Sequence, residues 1–405
     1  MTTWLNAGII FTLLSIILIL FKWGNVRVVG ITPVKTFTFI AILFTSGLDV
    51  GLIMFPLTEF AGYADVKASP EYEFANPLAI EFAYWGFLIW GFYFVTCFYF
   101  CVIEPKVKFF DIPWVKFLNN VVIIGTCAFT AFLLLSNLPW YLPTLGDGES
   151  VVPTFYLIVL ATICFAVYSS TDIKYVRFLS ITTTWLFILL IGFMWLGAFM
   201  GSDTQVSEFT DNLAMIGSYF GNINEFVLPL NDYHEFYLFW WFAWSIMIGQ
   251  FTSRFVGGLK TYQVLAAMLI FPSIPIAVWF SVLFQYHEAD IPTAGLKNFA
   301  MAFVGIVFVI NSLDSLIRLY TDNLNITVKR FGKVKYIALN VVALSLLTLL
   351  FRLEFLKIQW VGALVIGLFF GCAAFIAVSK TKTVRNIDSS PKDNKLDYKK
   401  IKSTN

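Results

Sequence analysis

The chain has 405 residues, 59% of them hydrophobic and 13% charged, with a mean hydropathy of +0.79 and a formal net charge of +2. Soluble domains carry about a quarter charged residues, so this composition excludes a soluble globular protein. Repeated apolar runs of about 20 residues indicate a polytopic membrane protein instead. The five cysteines, Cys97, Cys101, Cys127, Cys164 and Cys372, lie inside those runs without a CxxC pair, and read as small core residues rather than metal ligands or a disulfide frame. With His234 and His287 as the only histidines, a histidine-based metal site or catalytic triad is not expected. No nucleophile and base constellation and no phosphate-binding glycine loop occurs, which disfavours an enzyme or an ATP-driven pump. No nucleic-acid partner is expected either.

Eleven spans are predicted, at about 5–23, 36–59, 77–102, 118–141, 152–170, 176–200, 235–256, 261–285, 296–320, 335–352 and 358–379. Leu5 to Phe21 has neither a basic leader nor a small-residue cleavage site, and reads as a retained helix rather than a signal peptide. Basic residues gather after alternate spans: Lys22, Arg27 and Lys35; Lys106, Lys108 and Lys116; Lys174 and Arg177; Arg254 and Lys260; and Arg318, Lys329, Arg330, Lys333 and Lys335. The loops between hold acids, among them Asp65, Glu71, Glu73, Asp147, Glu149, Asp203, Glu208, Asp211 and Glu225. The basic loops should face the cytoplasm, which places the N-terminus outside a cell membrane and the lysine-rich C-terminus inside. Val206 to Leu230 is too polar to span and predicts an amphipathic helix on the outer surface. The tail from Thr381 to Asn405 is polar and expected to be disordered.

The second span carries Gly47-Leu48-Asp49-Val50-Gly51 at its middle. Two glycines cost a helix roughly 1 kcal/mol each, so local unwinding is predicted, the device by which transporters expose backbone groups to ions and substrate. A carboxylate at mid-membrane costs about 2.5 to 3.5 kcal/mol on insertion scales. Asp49 is therefore a candidate to pair with a cationic substrate or to carry a coupling proton; the competing reading is a structural acid satisfied by Thr45 or Ser46. In the third span Trp90 and Tyr93 share a helical face, whereas Trp85 does not join them in a straight helix. The seventh span holds Trp240, Trp241 and Trp244 on neighbouring faces. An indole face is the best side-chain partner for a cation that cannot donate a hydrogen bond, worth about 2 kcal/mol when desolvated. The functional reading is a quaternary-ammonium site; the bland one is that the indoles fill helix gaps or form an interfacial belt, although they lie at mid-span.

FYLFWWFAWSIMIGQFTSRFVGGLKTYQV, from Phe236 onward, resembles the signature of the betaine/choline/carnitine transporter family, FYWAWWxxWxPFVGxFxARxSRGRTxRE. Ile246 stands for the proline, Ser253 for the alanine, and Gly257 and Leu259 thin the basic end. GLDVG is similar to the family's GMGIG, with Asp49 for the middle glycine and Glu59-Phe60 where the family has Glu-Pro. FAYWGFLIWGFY, Phe82 to Tyr93, resembles AFHWGxxxWAIY, and VFVINSLDSLIR resembles FFITSADSAS with Asn311 for a threonine.

The resemblance covers about residues 10 to 380, the family's usual first helix being absent. It implies an all-α membrane protein of two inverted five-helix repeats, 36–200 and 233–379. Residues 1–35 would supply one preceding helix and a cytoplasmic loop, 201–232 a periplasmic segment, and 380–405 a cytoplasmic tail. It implies an aromatic box of Trp85, Trp90, Tyr93 and Trp241, with Trp240 and Trp244 flanking the path. A sodium ion would be held by Ser312 and the backbones of Thr45, Leu48 and Phe308, beside Asn311, with Thr126 and Thr130 near a second ion. No other cofactor is implied. Ion-independent members fill the ion site with a basic side chain from the fourth helix, yet no Lys or Arg occurs between Lys116 and Lys174; coupling to sodium or protons is thus favoured. Asp314 and Arg318, four apart, are expected to form a helix ion pair.

The expected function is ion-coupled uptake of a quaternary ammonium or sulfonium osmolyte, such as choline, glycine betaine, carnitine or dimethylsulfoniopropionate, across a bacterial inner membrane by alternating access. The family is usually trimeric. An ionised Asp49 would repel a substrate carboxylate, favouring choline-like substrates or a protonated Asp49. Two readings from other classes are a channel and a transport-inactive sensor or scaffold on the same fold.

Overall fold

Lipid offers no hydrogen-bond partners, so an apolar run satisfies its own N–H and C=O groups by folding as a helix. The computed structural model describes residues 1–48, 50–200 and 205–390. From the N-terminus come α1 (Thr2–Trp23), strand β1 (Arg27–Val29), α2 (Thr36–Gly47), α3 (Gly51–Met54), α4 (Pro56–Ala64), α5 (Pro77–Trp85), α6 (Trp90–Phe98) and α7 (Glu104–Val107). They are followed by α8 (Pro113–Tyr141), α9 (Pro153–Ser169), α10 (Ile173–Phe199), α11 (Val206–Met215), α12 (Gly217–Gly221) and α13 (Asp232–Thr252). Strand β2 (Gly257–Lys260) leads into α14 (Thr261–Ile270), α15 (Ser273–Glu288), α16 (Leu296–Asn323), α17 (Val328–Phe331), α18 (Lys333–Arg352), α19 (Ile358–Phe375) and α20 (Thr381–Arg385).

Among the described residues, eight helical stretches are long and apolar enough to cross a membrane: α1, Pro77–Val107, α8, α10, Thr261–Glu288, α16, α18 and Ile358–Arg385. The other three predicted spans fall on the interrupted run α2 to α4, on the 17-residue α9 and on the 21-residue α13. The spanning part is all-α, as the composition requires. At the centre, α13 and α16 are buried along most of their length, α13 against α6 and α19 and α16 against α8 and α9. Helices α1, α10 and α18 instead turn large apolar side chains outward, such as Phe21, Leu189 and Val342.

Three local features depart from the sequence reading. A two-stranded antiparallel sheet joins β1 to β2, with Arg27 opposite Lys260 and the Arg27 guanidinium donating to Gly258 O at 2.8 Å. It ties the loops after the first and seventh spans to one face, in keeping with their shared positive charge. The tail does not leave the bundle at Thr381: the Lys22 ammonium donates to Val384 O at 2.8 Å and Arg385 O at 3.0 Å, capping the last carbonyls of α20 with positive charge. Val206 to Leu230 is two short helices and a 3-10 turn rather than one amphipathic helix, pinned to α15 by the Asn212 amide on Gln285 Oε1 at 2.7 Å. At the other end of α1 from Lys22, the Thr2 hydroxyl donates to Glu235 at 2.6 Å. The N-terminus and the α20 segment therefore lie at opposite ends of the bundle.

Candidate functional site

Two helix breaks build the site. The first lies between α2 and α3, where Leu48 is extended at φ −126°, ψ 160°. Carbonyls that an uninterrupted helix would use internally are freed there and must find other donors. Tyr93 Oη donates to Gly47 O at 3.1 Å, the Asn311 amide to Thr45 O at 2.9 Å and the Ser312 hydroxyl to Leu48 O at 2.9 Å. The second break follows Trp85: Gly86 is extended at φ −108°, ψ 166°, and Phe87 has a positive φ of 46°. The indole of Trp90 bridges it by donating to Trp85 O at 3.1 Å. A straight helix leaves Trp85 away from Trp90 and Tyr93; across the break, Trp85 and Tyr93 both meet Trp241.

Trp85 meets Trp241 edge to face, with ring centroids 5.2 Å apart at 80°, and Tyr93 lies 6.3 Å from Trp241 at 72°. Trp90 meets Tyr93 at 5.2 Å and 84°. The Trp241 indole N–H is anchored on Tyr84 O at 2.7 Å, which fixes which face of the ring it presents. A Cβ at Gly47 would sit 3.0 Å from the Trp90 ring and 3.4 Å from Tyr93, so the closeness of the rings to the α2 backbone depends on a glycine there. Trp240 flanks this group, stacked on Trp241 at 5.3 Å and edge to face with Trp85 at 5.4 Å. Trp244, one turn further along α13, is fully buried, and among the described residues no ring contact joins it to the others. Asp49 lies outside the described residues.

The expected ion ligands also converge. Thr45, Leu48, Asn311 and Ser312 meet through the two hydrogen bonds above, and Phe308 packs one turn away against Phe44, with centroids 6.3 Å apart. Two carbonyls, a hydroxyl and an amide form a hard-oxygen set of the right chemistry for sodium. The Asn311 amide, however, turns Nδ2 towards Thr45 O while the Ser180 hydroxyl donates to its Oδ1 at 2.9 Å. A donor thus stands where a cation would, and the set fits sodium only with that amide reversed. Thr126 and Thr130 bond back into α8, to Val122 O at 2.9 Å and Thr126 O at 3.2 Å, and among the described residues make no hydrogen bond to this cluster. Asp314 and Arg318 are not an ion pair: Asp314 accepts from Ser169 at 2.6 Å and Ser315 at 3.1 Å, and Arg318 donates to Ser170 O at 3.4 Å. Neighbouring hydroxyls meet the acid more closely than a long guanidinium at the helix end.

Sequence reasoning missed two acids beside the box. Glu59 on α4 accepts from Tyr63 at 2.6 Å, from Tyr237 at 3.0 Å and 3.1 Å, and from Tyr233. Glu81 on α5 is fully buried, and among the described residues neither of its oxygens receives a hydrogen bond. The signal was available, since each is an isolated acid within an apolar stretch of a predicted span. Cavities open at both ends of α13. One of about 270 Å³ at its start is lined by Glu59, Tyr63, Tyr72 and Tyr233; one of about 180 Å³ at its end is lined by Gly30, Cys101, Gln250 and Arg254. The aromatic box lies between them, buried.

The chain is 23% identical over 312 residues to glycine betaine transporter 1 of Vibrio parahaemolyticus, covering 68% of this chain and 59% of that one. It is 25% identical over 300 residues to glycine betaine transporter OpuD of Bacillus subtilis, covering 64% and 57%. An uncharacterized transporter of Haemophilus influenzae is 26% identical over 308 residues, covering 64% and 44%. The chain is thus similar to membrane transporters, two of them named for glycine betaine. No protein-family model matches it, and it spans less than three-fifths of the length of these curated relatives. All three are named as transporters and none as an enzyme, in agreement with the absence of catalytic motifs from the sequence. The resemblance noted from FYLFWWFAW agrees with the names of the Vibrio and Bacillus relatives, over about two-thirds of this chain.

Proposed function

We propose that the protein imports a small quaternary ammonium or sulfonium compound, glycine betaine foremost, by alternating access coupled to sodium or protons. The observation that carries this reading is the buried four-ring box of Trp85, Trp90, Tyr93 and Trp241, set against a helix break and flanked by a cavity at each end. Ring faces attract a methylated cation without requiring a hydrogen bond from it, and half-unwound helices at the midplane are how such transporters bind their cargo. The names of the Vibrio and Bacillus relatives support glycine betaine as the first substrate to test. In this reading 36–200 and 233–379 are inverted repeats, the N-terminus faces outward and the basic loops face the cytoplasm.

The test is uptake of radiolabelled glycine betaine and choline into proteoliposomes, under a sodium gradient and separately under a proton gradient. Wild type should accumulate at least one of them, and Trp241→Leu should weaken its binding about 30-fold, the equivalent of roughly 2 kcal/mol for a desolvated cation–π contact. Binding without accumulation under either gradient would refute transport and leave a sensor.

A further inference from the structure

Glu59 and Glu81 stand at the outer edge of the box without taking part in it. Three phenol hydroxyls donate to the Glu59 carboxylate, from Tyr63, Tyr233 and Tyr237, which is the environment of an ionised acid. Glu81 has the opposite surroundings. It is fully buried, and among the described residues no donor reaches either oxygen and the salt bridge found is Arg254–Asp322. A charge in that position would cost several kcal/mol. Its polar neighbours are the Glu59 carboxyl, Tyr63 and the Trp85 indole, and Trp85 Nε1 is itself buried without an acceptor. Two neighbouring carboxyls at a buried site cannot both ionise without a large cost, and settle by sharing a proton.

We propose that Glu59 and Glu81 form a proton-binding site, with the proton held on Glu81 and the charge on Glu59, loaded from the outer cavity and linked to occupancy of the aromatic box. This rests on the transporter reading above. The loading path is short: Glu59 lines the cavity of about 270 Å³, and Glu81 lies behind it. Trp85 follows one turn further along α5, against Trp241.

The other titratable groups around the pair belong to several elements. Tyr84 on α5 bonds Tyr72 at 3.0 Å. Tyr141 on α8 donates to Met54 O at 2.7 Å. His234 on α13 is stacked on Tyr84, and its Nδ1 accepts from Leu230 N. His287 on α15 packs on Phe60, and Glu208 on α11 is held by Gln285. Tyr219 on α12 accepts from Leu88 N. Each has a partner other than the carboxyl pair.

The sign of the linkage follows from charge. A cation in the box stabilises the ionised pair, so acidification weakens its binding and its binding releases protons. Glycine betaine, with a carboxylate of its own, should respond less than choline.

The experiment is pH-step infrared difference spectroscopy of the purified full-length protein, as wild type, Glu81→Gln and Glu59→Gln, with wild type also labelled with ¹³C-carboxyl glutamate. A protonated-carboxyl band should be present at neutral pH, shift with the label, vanish in Glu81→Gln and move in Glu59→Gln. The labelled wild type tests for a protonated glutamate even if a variant does not fold, and the two variants assign it. Absence of a glutamate band, or a band that responds to sodium chloride and not to pH, overturns the proposal, the second outcome making the pair a sodium site. In parallel, choline binding to wild type should be about fivefold weaker at the acid end of the range, and independent of pH in Glu81→Gln; an unchanged slope in Glu81→Gln also overturns it. Should neither choline nor betaine bind, the transport reading fails while the infrared bands still judge the proton site.

Discussion

Replacing Gly47 by alanine tests whether the box is held open by backbone geometry. The new methyl would lie 3.0 Å from two carbons of the Trp90 ring and 3.4 Å from Tyr93, whereas carbon contacts are comfortable at about 3.5 to 4.0 Å. The Trp90 ring must therefore retreat by about half an ångström. It is not free to do so, because its N–H is bonded to Trp85 O and Tyr93 Oη is bonded to Gly47 O itself. Overpacking of this kind costs about 1 to 3 kcal/mol. The strain falls on two of the four rings of the box, so ligand affinity should drop by about 5- to 150-fold. Tryptophan-fluorescence titration with glycine betaine and choline reads that loss. Gly62→Ala and Gly192→Ala are the controls, since a Cβ at either meets nothing within 4 Å, and each should bind as wild type does. Wild-type affinity in Gly47→Ala would show that the Trp90–Tyr93 face does not contact the ligand.

Three further outcomes follow from the structure. Asn311→Thr removes the amide donor at Thr45 O and supplies a hydroxyl oxygen instead, so uptake should gain sodium dependence; a sodium response identical to wild type would refute the ion-site assignment. Gly249→Ala places a methyl 2.0 Å from Thr96 Oγ1 and 2.7 Å from Cys97 N, where α13 meets α6. It should cost about 3 kcal/mol or more and lower the melting temperature in detergent, and an unshifted transition would contradict that packing. Lys22→Met uncaps α20, worth about 0.3 to 1 kcal/mol, and should speed proteolysis near Arg385 without altering ligand binding; equal cleavage rates would show that the cap is idle.

The helices were legible because lipid leaves an apolar run no other choice, and Gly47 with Gly51 announced the break at Leu48. The box was half legible. Trp90 and Tyr93 follow from a spacing of three, but Trp85 joins them only because Gly86 leaves the helix, and periodicity presumes that a helix continues. Trp244, expected beside the path rather than in the box, lies buried on the same helix. Glu59 and Glu81 are 22 positions apart in sequence, and nothing local says that two separate helices set them side by side. The β1–β2 pair was invisible for the same reason, its short strands lying more than 200 residues apart.

That pair belongs to a longer seam of backbone hydrogen bonds. Gly30 N donates to Val256 O, Thr32 N to Arg254 O and Val34 N to Phe255 O, while Thr261 N donates to Val26 O and Tyr262 N to Gly24 O. The seam stitches the approach to α2 onto the exit of α13 and the entry of α14, so at this face those helix ends travel as one body. The consequence is kinematic: in the proposed transport cycle, a passage on this side could not part the start of α2 from the end of α13, and would open along another flank. Spin labels at Val29 and Leu259 should keep one fixed separation through every step of a cycle, a ruler against which the moving helices can be measured.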